Sequence, residues 1–219
     1  MPANLLIDAR KFRIAAVASL LESYYPTVHR LAYALCGEQA AREVIQRVFS
    51  RALYALPKWR DDSTADRWFY HYTVLASRNC SREHNAPDPL LNDEASDPGY
   101  AALIRGLRAL PTQQREAIVL SHGEHLNFRY LAVAMDCSTE AAANHLRMAT
   151  QALELIGGDK LAALLAIFSQ AYRRLAPSPD AVRPMIRRRI NRYLLPRRLR
   201  RGIFALAALI TLYALWRWR

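Results

Sequence analysis

Glycine is scarce in this 219-residue chain, with seven occurrences, and no stretch alternates β-branched and polar residues between turn formers. Exposed strands, and with them sandwich and barrel architectures, are excluded on that ground. Cysteine is rarer still. Cys36, Cys80 and Cys137 are odd in number and far apart, which suggests neither a disulfide framework nor a Cys-x-x-Cys metal site and suits a reducing cytoplasm. No Gly-rich phosphate loop, nucleophile elbow or His-Glu-x-x-His motif occurs, so no enzyme is expected and no catalytic residue or cofactor is assigned. His122 and His125 are close together, but Gly123 weakens a helix there and no third ligand stands out, so the stretch reads as a surface turn. Asp8, Arg10, Lys11 and Arg13 interrupt the apolar pattern at the start before it reaches the length of a signal-peptide core.

Acidic residues are missing from the end. Beyond Asp180 there are eleven arginines and no Asp, Glu or Lys, so the net charge of +12 is concentrated there; of 31 basic residues, 20 remain to face all 19 acidic ones. The charge therefore supports a basic tail and not a basic, nucleic-acid-binding body.

What is present is helical. An apolar content of 52% is enough to build real cores. In residues 38–56, Ala41, Val44, Ile45, Val48, Phe49, Ala52, Leu53 and Leu56 recur at helical spacing, with Arg42, Gln46, Arg47, Ser50 and Arg51 on the opposite side. Residues 10–36 read as one or two helices broken near Pro26, with Gly37 as the stop. After Pro57, residues 58–64 read as a loop, and a further helix runs through Trp68, Phe69, Tyr72, Leu75 and Ala76 to about Arg82. Trp68 and Tyr72 fall on its apolar, core-facing side.

From Glu83 to Gly99 the sequence turns to Asn, Asp and Pro with few apolar anchors, which is linker chemistry. Beyond it, 100–109 reads as a helix, Pro111 opens another, and 127–135 and 139–156 are joined by Asp136-Cys137-Ser138. A short polar turn with Ser138 as N-cap of the second helix is a helix-turn-helix candidate, although the same pattern occurs in ordinary bundles. The expected fold is all-α: two small helical domains (1–82 and 100–156), a linker (83–99), an additional helix and Pro-rich break (157–182), and a basic and hydrophobic extension (183–219).

The order of these segments resembles the sigma-70 family of RNA polymerase sigma factors, in its small extracytoplasmic-function type. The resemblance rests on Tyr25-Pro26, on Ala41-Arg42-Glu43-Val44-Ile45-Gln46-Arg47-Val48-Phe49, and on Trp68-Phe69 in the first block. In the second it rests on Leu110-Pro111, Arg115-Glu116, Leu131-Ala132, Ser138, Leu146, Ala149 and Leu153. It implies core RNA polymerase and promoter DNA as partners, with an anti-sigma factor as a further candidate. Glu43, Gln46 and Arg47 would then face polymerase. Trp59, Arg60, Asp61, His71, Asn79 and Arg82 would open the promoter and hold an unstacked base. Ser138, Thr139, Glu140, Asn144, His145 and Arg147 would lie in the major groove at the upstream element.

The chain departs from the family in several places. Ala141-Ala142-Ala143 stands where Thr-Val-Lys is usual, His145 and Met148 stand where arginines are, Arg42 and Arg47 replace acidic residues, and Leu75 replaces Asn. Fewer phosphate contacts mean weaker DNA binding with a shallower salt dependence. The alternative is a sigma-derived interaction protein that no longer reads DNA.

The extension carries its own signal. Residues 159–175 form an amphipathic helix, and Pro177 and Pro179 then break the chain. From Arg183 to Arg201, nine arginines accompany Ile186, Ile190, Tyr193 and Leu194 on one helical stripe, which suits an anionic membrane surface or a nucleic acid. An uncharged run of fourteen residues follows, Ile203 to Trp216, with Phe204, Leu206, Leu209, Ile210, Leu212, Tyr213 and Leu215 between them. At about 1.5 Å per residue it reaches roughly 21 Å against a hydrocarbon core of ~30 Å, a gap that flanking Trp and Arg can close by snorkelling. A membrane anchor with a cytoplasmic body is expected, the alternative being a last helix buried on the protein.

Overall fold

The computed structural model describes residues 5–79, 90, 98–175 and 182–193. Among them there is no strand. Helices α1 (Leu5–Arg10), α2 (Ile14–Cys36), α3 (Glu38–Ala55) and α4 (Asp62–Arg78) make the first block. Helices α5 (Pro98–Ala109), α6 (Thr112–Ile118), α7 (Phe128–Met135) and α8 (Thr139–Gly157) make the second, followed by α9 (Leu161–Arg174) and α10 (182–193). Most of the expected linker, the end of the α4 segment with Arg82, and the run from Ile203 to Trp216 lie outside the described residues.

Helix α3 forms as its periodicity predicts, with all eight apolar positions from Ala41 to Leu56 buried. Gly37 separates it from α2 at φ +80°, a backbone state in which a side chain would be strained. Helix α2 differs from expectation. It runs unbroken through Pro26, although proline removes one backbone hydrogen bond and crowds the preceding turn. The cost is offset because Tyr24 and Tyr25 on one side and Val28, His29 and Leu31 on the other are buried, so packing holds both halves in line. The loop before α4 is also shorter than expected. Asp61 accepts from the Thr64 amide at 2.7 Å, capping α4 and starting it at Asp62.

Tyr24, Tyr25, Phe49, Trp59 and Phe69 fill the first block's core. The Tyr24 and Phe69 rings stack at 4.2 Å, and Trp59 meets Phe69 at 5.2 Å. The second block is mostly aliphatic, with Leu103, Ile104, Leu107, Ile118, Leu131, Met135, Ala142, Ala149 and Leu153 buried. Helices α4 and α7 pack on one another, so the two blocks share one continuous cluster of buried side chains in this conformation.

Candidate polymerase and nucleic-acid interface

The expected turn between α7 and α8 is present. Asn127 caps α7 and Ser138 caps α8, each side-chain oxygen accepting a backbone amide at 3.1 Å. Asp136 closes α7 in the left-handed region at φ 58°, where a short polar side chain is tolerated. Asp136 and Ser138 are exposed, so the turn is open to solvent. Helix α8 buries Ala142, Ala149 and Leu153 and leaves Thr139, Glu140, Asn144 and Arg147 exposed, with His145 half-buried. Arg147 is engaged within its own helix, donating to Asn144 at 2.7 Å and to Gln151 at 3.2 Å. The Glu140 carboxyl is held below its ordinary pKa by its own backbone amide, with the Ser138 hydroxyl adding to the effect.

The residues expected to open a promoter differ in exposure, and Arg82 lies outside the described residues. Trp59 is a correction: it is 1% exposed and packs between Trp68 and Phe69, so it belongs to the core. It follows the short 3-10 turn Leu56–Lys58, which folds it inward beneath α4. Arg60, Asp61 and Asn79 are exposed and His71 is half-buried. Asp61 and Asn79 serve the two ends of α4, Asn79 donating to the Leu75 carbonyl at 3.2 Å. Trp68 and Tyr72 stack at 4.9 Å and are half-buried. At the junction of the blocks, Ser63, Arg67, Arg129, Tyr130 and Val133 line a cleft of about 240 Å³.

On α3, Glu43, Gln46 and Arg47 are exposed as expected. What the sequence did not reveal is that α10 reaches this face. Arg189 on α10 donates to Gln46 at 2.7 Å and to Ser50 at 2.9 Å. Tyr193 meets Tyr54 edge-on at 4.7 Å and stacks on Phe12 at 5.9 Å. Val182, Ile186 and Ile190 are buried. The apolar stripe expected to suit a membrane surface or a nucleic acid is therefore seated on the chain's own N-terminal helices.

Two buried carboxylates tie the blocks together, and both escaped the sequence reading. Glu116 takes a bidentate pair from Arg78 at 2.8 and 2.7 Å, and Arg78 also donates to the Met135 carbonyl at 2.8 Å. Glu124 accepts from Arg30, Tyr70 and Tyr172, the last at 2.8 Å. Burial, together with the Glu124 charge, pushes the Tyr70 and Tyr172 hydroxyls well above their ordinary pKa. The stretch expected as a surface turn thus has an interior role: Val119–Gly123 is a π-helical turn that carries Glu124 inward. A Cβ on Gly123 would stand 3.1 Å from the Tyr172 ring, which is why glycine fits there. His125 accepts from Arg173 at 2.8 Å, and burial holds His122 below its ordinary pKa. Among the described residues no group of three His, Cys, Asp or Glu could hold a metal ion.

No curated protein matches the chain. Residues 20–84, which span α2 to α4 and end just beyond the described part of that block, match the family model of Sigma-70 region 2. The aromatic-cored helical block at the N-terminal end, with the polar face of α3 on its surface, is thus similar to region 2 of the sigma-70 family over the residues that match.

Proposed function

We propose that the chain is a sigma factor of the extracytoplasmic-function type that binds core RNA polymerase through α3 and promoter DNA through α4 and α8. The observation that carries the reading is the order of parts within one chain. A region 2 match at residues 20–84 is followed by a helix-turn-helix whose second helix exposes Thr139, Glu140, Asn144 and Arg147. Glu43, Gln46 and Arg47 face polymerase in this reading. Arg60, His71, Asn79 and Arg82 attend the opened strand, and the exposed residues of α8 meet the upstream duplex. An anti-sigma factor is the further partner class.

The test is transcription by core polymerase supplemented with the full-length protein, read beside a direct core-binding assay. Binding and promoter-dependent transcripts are expected. A protein that neither binds core nor starts transcripts sinks the reading. Arg147→Ala is expected to weaken DNA binding by about 1 kcal/mol and lower the salt slope by about 1.

A second reading is favoured by α8 itself. Alanines occupy 141–143, and Arg147 is already tied to Asn144 and Gln151. A sigma-derived interaction protein would bind core yet give no promoter-dependent transcripts and no salt-sensitive DNA binding.

The membrane part of the proposal rests on the sequence from Ile203 to Trp216. Among the described residues no helix is long and apolar enough to cross a membrane. Deleting residues 203–219 is expected to move the protein from the membrane fraction to the soluble one; an unchanged distribution removes the anchor.

A further inference from the structure

We propose that α10 is an internal cover for the polymerase-docking face of α3, so that the chain as folded here is closed to core polymerase until α10 lifts. The inference rests on the reading of Gln46 and its neighbours as that face. Gln46, Ser50 and Tyr54 stand four residues apart along one ridge of α3. Each is in contact with α10: Gln46 and Ser50 with Arg189, Tyr54 with Tyr193. Glu43 and Arg47 stand beside that ridge and remain exposed.

A helix with its side chains is about 10 Å across, so α10 seated on the ridge excludes any macromolecule from the same side chains. The Gln46 carbonyl oxygen that accepts from Arg189 is also the group a docking partner would meet. Occupation by α10 and docking are therefore alternatives.

The seat is built to be exchangeable. Its apolar part is three aliphatic side chains, Val182, Ile186 and Ile190, with Tyr193 at the end. Its polar part lies near the surface: Arg189 is half-buried, Gln46 is exposed, and Arg183 meets Glu22 at 3.6 Å with more than half of its side chain exposed. Polar contacts of this kind contribute little against solvent, so the buried aliphatic side chains carry the seat and a partner must replace their burial to displace it. Arg187, Arg188 and Arg192 are exposed on α10.

A face that is available for only a fraction of the time lowers apparent affinity by that fraction. Unseating α10 should raise it. In the full-length protein, Ile190→Asp is expected to bind core polymerase about tenfold more tightly than the parent, and Arg189→Ala about threefold. Affinities within about twofold of the parent for both, or weaker, overturn the cover. Where Ile190→Asp loses helical content by circular dichroism, Arg189→Ala, which changes a half-buried contact and no core residue, decides.

Arg47→Glu separates this inference from the one beneath it. Parent binding that Arg47→Glu weakens, with Arg189→Ala and Ile190→Asp without effect, removes the cover and keeps the docking face. Parent binding that Arg47→Glu leaves unchanged removes the docking face and the cover with it, as does a parent that does not bind core in any of these backgrounds.

Discussion

The two blocks are both small helical bundles, yet they are held by different means. Tyr24, Tyr25, Phe49, Trp59 and Phe69 stack through the first, whereas the second relies on aliphatic side chains and alanines that let α8 lie close on its neighbours. Between them stands a third kind of contact, in which Glu116 and Glu124 are withdrawn from water and answered by Arg78 and Arg30 from the first block. An aromatic core tolerates little change of shape. A polar joint can come apart once its charges find water or another partner, since both states satisfy them. The blocks are therefore suited to persist while their junction opens.

Three substitutions or conditions probe that contrast. The largest effect is expected in the aromatic core, where Phe69→Ala removes the ring that Tyr24, Phe49 and Trp59 share and should cost about 4 kcal/mol in denaturant unfolding. A loss below about 1 kcal/mol would mean the ring stack does not hold the block. Next comes the joint. Arg78→Ala leaves the Glu116 carboxylate, whose side chain is 2% exposed, buried without its cation and should cost about 3 kcal/mol. Hydrogen exchange should rise along α4 and α7 while the protection of α2 and α3 persists; uniform loss would show that the blocks do not open separately.

The smallest effect is a pH dependence of the first block. Burial lowers the His29 pKa to about 4, against 6.5 in an unfolded chain. A histidine buried in its neutral form has its contribution intact above pH 6.5 and loses it as acid charges the unfolded chain, so about 2 kcal/mol should be gone at pH 5 relative to pH 7. His29→Phe should flatten that part of the profile. An unchanged slope between pH 7 and 5 in the variant would assign the dependence to other groups.

Much of this was legible in the residues. The α3 periodicity, Gly37 as a stop, the cap at Ser138 and the turn between α7 and α8 are local, and a short window of side chains decides each one. Trp59 was misread because an aromatic beside a polar loop looks the same in sequence whether it faces solvent or the core. Glu116 and Glu124 passed unnoticed for a related reason. A carboxylate reads as surface unless its partners are visible, and those partners lie 38 residues away in Arg78 and 94 residues away in Arg30.

The amphipathic stripe of α10 shows where the division falls. Its sequence determined that Ile186, Ile190 and Tyr193 would share one side of a helix, because a 3.6-residue turn brings them there whatever surrounds it. It also determined the all-helical class, since neither strand alternation nor turn residues offered another solution. What that stripe lies against was decided only by the tertiary structure. Apolar burial has no direction of its own, so a lipid surface and the α3 ridge satisfy the same side chains, and only the fold brings Gln46 and Ser50 within reach of Arg189.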